Sequence, residues 1–299
     1  MLSKNFKHIR LITFFTLIIF LLSLITPNAE VVVLNLNLLQ VIFLYIWVVQ
    51  IFAFIPAFLY QTEKYYDFIG SITYSTSACI VYFSIPVKTQ TDSVLLILIL
   101  LWASRLGLFL FSRILNDGND KRFDKPKQSF FNFLQYWIGQ AMWISFTAVA
   151  LFVSMISPEG PKLTFISILG IILWFIGFII EVISDNQKRK FKRNPDNNGQ
   201  YITTGLWSRS RHPNYFGEIV IWFGIAIISF ESLNGLSYIA LISPFFVYLL
   251  LTKGSGIPLL ENNANKKWGN DPDYNKYKKN TPVLFPKLFD NVSSADNNS

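Results

Sequence analysis

The segment Gly205-Leu-Trp-Ser-Arg-Ser-Arg-His-Pro-Asn-Tyr-Phe-Gly-Glu218 follows the apolar run 163–184. Its last four residues are also the first residues of the next apolar run, 215–230. Pro213 has no backbone N–H and its ring is tolerated in the first turn of a helix, so His212-Pro213 predicts a helix start. Because a helix N-terminus favours negative charge, it stabilises Glu218 and would attract a bound phosphate. The segment therefore predicts a cofactor site where a helix enters a membrane.

Apolar runs recur along the whole chain, each near the roughly 20 residues that a membrane-spanning helix needs. They cover residues 9–26, 38–60, 67–86, 93–115, 130–156, 163–184, 215–230 and 236–252. With 52% apolar, 17% aromatic and 15% charged residues, the 299-residue chain is also too apolar for an ordinary soluble domain. We predict an all-α, multi-pass transmembrane bundle of seven or eight spans, since the last two runs are short and could form a hairpin that crosses only in part.

Basic residues lie almost entirely on one side of this predicted bundle. If the N-terminus is inside, the inner loops hold five basic residues across 113–127, seven across 188–211 and seven from 253 onward, whereas the outer loops hold Lys88 and Lys162. Lys and Arg accumulate in cytoplasmic loops, so we predict a cytosolic N-terminus and cytosolic polar loops, in a bacterial inner membrane or the endoplasmic reticulum. This topology accounts for most of the net charge of +8, and no nucleic-acid partner is needed to explain it.

The longest polar stretches, 116–129, 185–213 and 253–299, all face the cytosol in this topology. Together they are expected to form one loop cap over the helices. So many cations suit a polyanionic cofactor or the headgroups of anionic membrane lipids, and charge alone does not choose between them.

Metal chemistry is not expected of this chain. It has one cysteine, Cys79, and two histidines, His8 and His212, which cannot supply the clustered ligands of a di-iron or haem site. There is also no Gly-x-Gly-x-x-Gly after a strand and no P-loop lysine. Any nucleotide must therefore bind the membrane domain itself.

A charged helical face is predicted where the run 163–184 ends. Glu181, Asp185, Lys188 and Lys192 follow one another at spacings of three and four residues, which places them on one side of a helix. Lysines that extend to the membrane surface and solvated ion pairs would explain this segment by itself. Glu181 favours a functional interpretation, because an acid about one turn inside the bilayer is costly and usually faces a polar cavity.

Two further charges lie in or beside apolar runs. Arg105 needs a partner, for which Glu181, Glu218, Asp67 or a cofactor phosphate are candidates; structural pairing and ligand binding are equally good interpretations. Asp67 precedes the third run, where its position by itself favours a helix N-cap.

Near the C-terminus, Tyr274 and Tyr277 stand among lysines. Anchoring at the membrane interface explains this pattern, although an aromatic ring with adjacent cations can also close over a nucleotide.

These residues occur in ordered blocks that resemble a known family. The blocks are Leu101-Trp-Ala-Ser-Arg-Leu106, Asp120-Lys-Arg-Phe123, Ser184-Asp-Asn-Gln-Lys188, Gly205 to Glu218, Ser255-Gly-Ile-Pro-Leu-Leu-Glu261 and Tyr277 to Pro286. The stretch from about Trp102 to Pro286 is similar to the steroid 5-alpha-reductase-like membrane proteins, and most closely to their DUF1295 branch. The Arg-His-Pro block alone is less specific, because isoprenylcysteine and phospholipid methyltransferases carry a similar one.

The resemblance implies a bundle that holds NADPH in a cytosol-facing cavity and reduces a carbon–carbon double bond conjugated to a carbonyl. The family's cofactor-contacting positions match Asp185, Lys192, Asn214, Glu218 and Tyr277. With their neighbours, the full set expected to contact the cofactor is Arg105, Glu181, Asp185, Lys188, Lys192, Arg211, Asn214, Tyr215, Glu218 and Tyr277.

The chain departs from the family at the reacting centre. The tyrosine that polarises the steroid carbonyl is replaced by Trp102, whose indole donates a hydrogen bond but no usable proton. The acid that partners this tyrosine falls near Asp67. The candidate catalytic residues are therefore Asp67, Tyr74 and Trp102, and an aspartic acid would need its pKa raised well above its usual value to act as a proton donor.

The sequence thus predicts an integral membrane NADPH-dependent reductase that takes a lipid-soluble enone of steroid, isoprenoid or fatty type sideways from the bilayer. We expect substrate-side helices over 1–92, a reductase-like domain over 93–290 and a disordered tail over 291–299. One alternative is a membrane methyltransferase that uses S-adenosylmethionine, against which the Asp185–Lys192 block and the Trp102–Arg105 block argue. The other is a lipid-binding scaffold without activity, which Trp102 favours.

Overall fold

The computed structural model of the protein describes residues 2–25, 32–33 and 35–287. Its α-helices are α1 (Leu2–Leu22), α2 (Leu38–Leu59), α3 (Tyr66–Ser84), α4 (Gln90–Asp117), α5 (Phe130–Ile156), α6 (Phe165–Arg193), α7 (Pro213–Ser229), α8 (Ile242–Leu249), α9 (Ile257–Trp268) and α10 (Pro272–Asn280). Two short strands, β1 (Val32–Val33) and β2 (Leu36–Asn37), pair antiparallel before α2. A π-helical turn, Leu250–Gly254, follows α8.

The predicted all-α membrane bundle is confirmed. Within the described part of the chain, seven helical segments are long and apolar enough to cross a membrane. They are Asn5–Leu22, Leu38–Leu59, Gln90–Asp117, Phe130–Ile156, Phe165–Arg193, Pro213–Ser232 and Gly235–Trp268. The last two apolar runs thus both fall within such segments.

Of the long helices in the described residues, α3 lies outside this set and occupies the third predicted span. It carries serine and threonine at most positions from 71 to 77, which lowers its hydropathy. Four of these five hydroxyl groups have partners within the bundle, as when Thr73 Oγ1 donates to the backbone oxygen of Ile69 at 2.7 Å and Ser71 Oγ donates to that of Ala103. Such back-bonding makes a polar helix compatible with an apolar environment. The hydroxyl of Ser77 is buried with no hydrogen-bond partner among the described residues.

The chain forms two compact units. The first comprises Met1–Gly170 and Ile225–Phe246. Its central helix is α5, which packs against α1, α2 and α3 and is buried at every position from Ile144 to Ile156. Helix α3 in turn lies along α4. The core of this unit is therefore assembled around one apolar helix.

The second unit comprises Ile171–Gly224 and Val247–Ser299, described as far as residue 287. It contains the C-terminal part of α6, the loop that follows, the first turns of α7, and helices α9 and α10. The helix start predicted at His212-Pro213 is confirmed, since α7 begins at Pro213. The regions 1–92 and 93–290 stay a prediction, and the proposed tail 291–299 lies outside the described residues.

Candidate functional site

Two glycines bring the predicted site residues of α6 and α7 together. A Cβ atom built on Gly217 would lie 2.7 Å from the backbone nitrogen of Glu181 and 2.7 Å from the backbone oxygen of Gly177. A Cβ on Gly177 would meet the backbone oxygen of Gly217 at 2.6 Å. Since no side chain fits between them, the two helices approach to backbone contact, as small residues allow in membrane bundles.

This close approach joins two predicted cofactor residues directly. Asn214 Nδ2 donates a hydrogen bond to Asp185 Oδ1 at 3.3 Å. Both Asp185 and Glu181, one turn earlier on α6, are buried. The helix continues to Arg193, which confirms the predicted helical face. Both carboxyl groups are therefore shielded from water.

The loop before α7 is anchored on α6 by Trp207. Its indole Nε1 donates to the backbone oxygen of Ser184 at 3.0 Å, and the ammonium of Lys188 lies 4.5 Å from the centroid of its ring. Gln187 Oε1 accepts from the backbone N–H of Leu206 at 2.9 Å. Lys188 is thereby held against the loop, because a cation gains from the face of an indole ring.

Gly205 allows this docking. Its φ is +62°, and a Cβ at this position would lie 2.4 Å from Gln187 Nε2. Only glycine adopts a positive φ without strain and also leaves room for the Gln187 side chain.

Tyr277 belongs to the same loop cluster. Its hydroxyl donates to the backbone oxygen of Trp207 at 2.7 Å. Its ring lies beside Tyr201, which also packs edge-on against Tyr274. Burial raises the pKa of Tyr277 well above its usual value, although Arg211 opposes the shift. Tyr277 is therefore a neutral hydrogen-bond donor at physiological pH.

The chain after α10 crosses over the Arg-His-Pro block. The backbone N–H of Arg211 donates to the oxygen of Pro282 at 2.9 Å, and that of Lys287 donates to the oxygen of Arg209 at 3.0 Å. Ser210 Oγ donates to the oxygen of Leu284 at 2.7 Å. The C-terminal residues thus hold the backbone of the block that leads into α7.

Arg211, His212 and Glu261 form a side-chain triad that the sequence did not reveal. Glu261 on α9 places Oε1 at 2.8 Å from His212 Nε2 and Oε2 at 3.1 Å from Arg211 Nη1. Burial lowers the pKa of His212, against the opposing effect of Glu261. The imidazole is therefore neutral at pH 7. The sequence hinted at this triad only through the position of Glu261 at the end of a family block, and its partner His212 lies 49 residues away in the chain.

The remaining predicted residues of this unit, Tyr215, Glu218 and Lys192, differ in how far they are buried. The ring of Tyr215 is nearly parallel to that of His212, with centroids 5.8 Å apart. Glu218 is partly buried one turn into α7, and Lys192 is exposed on the last turn of α6. The second unit therefore brings together most, and buries some, of the side chains expected to contact a cofactor.

In the first unit, Asp67 is paired with two arginines. Its Oδ2 lies 3.7 Å from Arg113 Nη2 and 3.7 Å from Arg122 Nη2. The N-cap of α3 is Tyr65, so the N-cap interpretation of Asp67 is wrong. Local position suggested a cap, but partners from α4 and the following loop determine its role.

The loop after α4 is fastened by Glu63, a second residue that the sequence did not single out. Glu63 is 4% exposed, and its Oε2 lies 3.0 Å from Lys127 Nζ while Oε1 accepts from the backbone N–H of Asp120 at 3.0 Å. Burial opposes ionisation of Asp120, but hydrogen bonds and charge from Arg122 outweigh it and lower its pKa. This cluster fixes the family's Asp120–Phe123 loop on the start of α3.

Tyr74 and Trp102 meet deep in the first unit. Their rings are edge to face, 5.1 Å between centroids at 89°, and both side chains are buried. The Tyr74 hydroxyl is hydrogen-bonded to Thr147 Oγ1. Because Thr147 gives its own proton to the backbone oxygen of Trp143 at 2.8 Å, Tyr74 acts as the donor. Arg105 lies one turn beyond Trp102 on α4, with its guanidinium carbon 5.9 Å from the centroid of the Phe109 ring.

A family model for a protein of unknown function, DUF1295, matches residues 53–281. The chain belongs to the DUF1295 family. The match runs from the last turns of α2 to the end of α10 and includes every predicted site residue. The resemblance inferred from the sequence blocks is therefore confirmed.

Curated relatives of this DUF1295 protein match over shorter stretches. A probable O-methyltransferase, UstE, of Ustilaginoidea virens is 31% identical over 98 residues, 33% of this chain and 32% of the relative. The 3-oxo-5-alpha-steroid 4-dehydrogenase 1 of Rattus norvegicus is 27% identical over 117 residues, 39% of this chain and 40% of the relative. The Bos taurus protein of the same name is 28% identical over 121 residues, 40% of this chain and 41% of the relative. The chain thus spans about a third to two fifths of their lengths, and no solved structure matches it significantly.

Proposed function

We propose that this multi-pass membrane protein is an NADPH-dependent reductase of a carbon–carbon double bond conjugated to a carbonyl, in a lipid-soluble steroid, isoprenoid or fatty substrate. The observation that carries the proposal is the contact of α6 with α7, which pairs Asp185 with Asn214 and buries Glu181 next to Gly217. Mammalian relatives named as steroid dehydrogenases support the reaction class.

The residues of the second unit suit a dinucleotide. Cations from Lys188, Lys192 and Arg211 would meet its phosphates, whereas Asp185 and Glu218 would accept hydrogen bonds from its hydroxyl and amide groups. In the described part of the chain, His212 Nδ1 and Arg211 Nε are buried and have no hydrogen-bond partner. A bound polar ligand would satisfy such atoms.

The other predicted cofactor contacts follow the family pattern. Glu181 would line the inner end of the pocket, Asn214 and Tyr215 would hold the nicotinamide end, and Tyr277 would close the loop cluster over the ligand. We also assign Arg105 to the cofactor, on the basis of its family block alone.

NADPH, when bound, supplies the hydride that adds to the β-carbon of the enone. The protein must support the carbonyl oxygen as negative charge develops there. Of the three candidates, Tyr74 is the best suited, because its hydroxyl is a buried donor whose present acceptor, Thr147, is neutral and replaceable. Burial raises the pKa of Asp67 against the opposing charges of Arg122 and Arg113, but both arginines also engage its carboxyl group. Trp102 serves by packing against the Tyr74 ring.

The substrate would enter from the bilayer, and the loops of the second unit would face the cytosol. The cationic loops 188–211 and 253–287 support this sidedness. No metal is required for this reaction. Membrane lipids are the remaining partners.

A second candidate is an O-methyltransferase that uses S-adenosylmethionine. UstE, at 31% identity over 98 residues, favours it. The two functions make opposite predictions about the ligand that the purified protein prefers.

Parallel titration of NADPH and S-adenosylmethionine into purified protein in detergent tests both candidates. We expect NADPH to bind, and Asn214→Ala or Glu218→Ala to weaken it by about tenfold or more, since each removes a hydrogen bond from a buried site. The exposed Asn116→Ala and Glu159→Ala are matched controls and should bind normally. A preference for S-adenosylmethionine would establish the methyltransferase instead.

A further inference from the structure

His212 has a fixed tautomer in the second unit. Its side chain is 7% exposed, and Nε2 lies 2.8 Å from the carboxylate of Glu261. A carboxylate only accepts hydrogen bonds, so Nε2 carries the proton of the neutral ring. Nδ1 on the opposite side therefore holds a lone pair and acts purely as an acceptor.

This acceptor has no hydrogen-bond partner among the residues that the structure describes. Buried acceptors left unpaired are rare, because desolvation of the lone pair is costly. The amide of Asn214, two residues along, donates to Asp185. The ring of Tyr215 is nearly parallel to the imidazole, 5.8 Å between centroids, so two flat rings flank the start of α7.

We propose that His212 Nδ1 accepts a hydrogen bond from the carboxamide N–H of the nicotinamide ring, and that Glu261 is the positioning residue that maintains the required tautomer. This inference rests on the proposed function, because it presumes that NADPH binds. Phosphate is excluded as the partner, since its oxygens are acceptors and Nδ1 has no proton to give. A neutral amide donor on a flat ring matches the neutral acceptor of an imidazole that has the Tyr215 ring beside it, whereas the charged donors of Arg211 and Lys188 suit the phosphates.

Two isosteric substitutions separate the two ring nitrogens. In His212→Gln the side-chain amide extends to the position of Nε2 and can still donate to Glu261, but the acceptor at Nδ1 is lost. In His212→Asn the amide ends near Nδ1 and retains an acceptor, but the bond to Glu261 is lost. Ser208→Ala, on the exposed face of the same loop, is the control.

The experiment compares dissociation constants for NADPH and for its reduced 3-acetylpyridine analogue, in which a methyl group replaces the carboxamide NH2. We expect the wild type and Ser208→Ala to prefer NADPH by about tenfold, as one buried hydrogen bond would give. His212→Gln should bind the two nucleotides within about twofold of each other, and His212→Asn should keep most of the preference.

A preference that survives in His212→Gln, or a wild type that does not discriminate, would overturn the inference and leave the reductase intact. Failure of both nucleotides to bind the wild type would instead refute the proposed function.

Nuclear magnetic resonance of 15N-histidine needs no variant, because the chain has only two histidines. The 15N chemical shift of His212 Nδ1 should change when NADPH binds and stay the same when the analogue binds. Equal changes with both nucleotides, or a proton on Nδ1 in the free protein, would contradict the assignment.

Discussion

Replacing Gly217 with alanine tests the contact on which the candidate site depends. The added Cβ would lie 2.7 Å from two backbone atoms of α6, whereas an ordinary contact begins at 3.4 Å. Because backbone cannot rotate away, the helices must separate by the difference, about 0.7 Å, at this level. A movement of that size along the bond would stretch the Asn214–Asp185 distance from 3.3 Å to about 4.0 Å, beyond hydrogen-bonding range.

Overpacking of this kind costs about 1–3 kcal/mol, against which the higher helix propensity of alanine returns up to about 1 kcal/mol. We therefore expect Gly217→Ala to lower the melting temperature in detergent and to weaken NADPH binding by about tenfold or more, because the lost bond joins two cofactor residues.

The matched control is Gly139→Ala in α5, where a Cβ would meet Phe15 Cε2 at an ordinary 3.9 Å. It should melt at or above the wild-type temperature and bind normally. If Gly217→Ala melts and binds like Gly139→Ala, the close approach does not organise the site and our reasoning is wrong.

Tyr74→Phe should lower turnover of an enone by about 100-fold or more while leaving the dissociation constant of NADPH unchanged, because it removes the proposed donor to the carbonyl. Tyr82→Phe on the same helix, which loses a hydrogen bond to Ser93, is the control, and equal turnover in both variants would exclude Tyr74 from the chemistry. In a Cys79→Ser background, Ser208→Cys should resist an impermeant thiol reagent added outside intact cells while Glu159→Cys on the opposite side reacts. The reverse pattern would invert the topology.

Local chemistry made part of the fold predictable. Pro213 determines where α7 begins, and the three-to-four spacing of charges correctly extended α6 past the apolar run. These features depend on neighbours in the chain. The polar character of α3 was less informative, because Ser71 finds its partner in the backbone of Ala103 on another helix.

The candidate site was predictable only as a set of residues. Family blocks selected Asp185 and Asn214, which the structure joins. The blocks gave no hint that Glu261 contacts His212, since the two lie 49 residues apart, on α9 and in the loop before α7, and no local pattern specifies how these segments pack. The same holds for Glu63 and Lys127, 64 residues apart. Asp67 shows the opposite error, in which a correct local preference for caps loses to two arginines brought near by tertiary structure.

The replacement of the family's tyrosine by Trp102 is easier to understand beside Tyr74. The Trp102 indole and the Tyr74 phenol pack edge to face, so the bulk of the indole fixes the position of the phenol ring. Thr147 fixes the direction of the Tyr74 hydroxyl. In the proposed reaction, the donor that Trp102 does not supply from α4 would come from Tyr74 on α3, whose ring contacts that of Trp102. A phenol is also an ordinary neutral donor, whereas the carboxyl group of Asp67, whose pKa is raised by burial, lies near two arginines that oppose that rise. If the protein reduces an enone, this exchange of positions between neighbouring helices is the simplest way for it to keep the chemistry without the tyrosine.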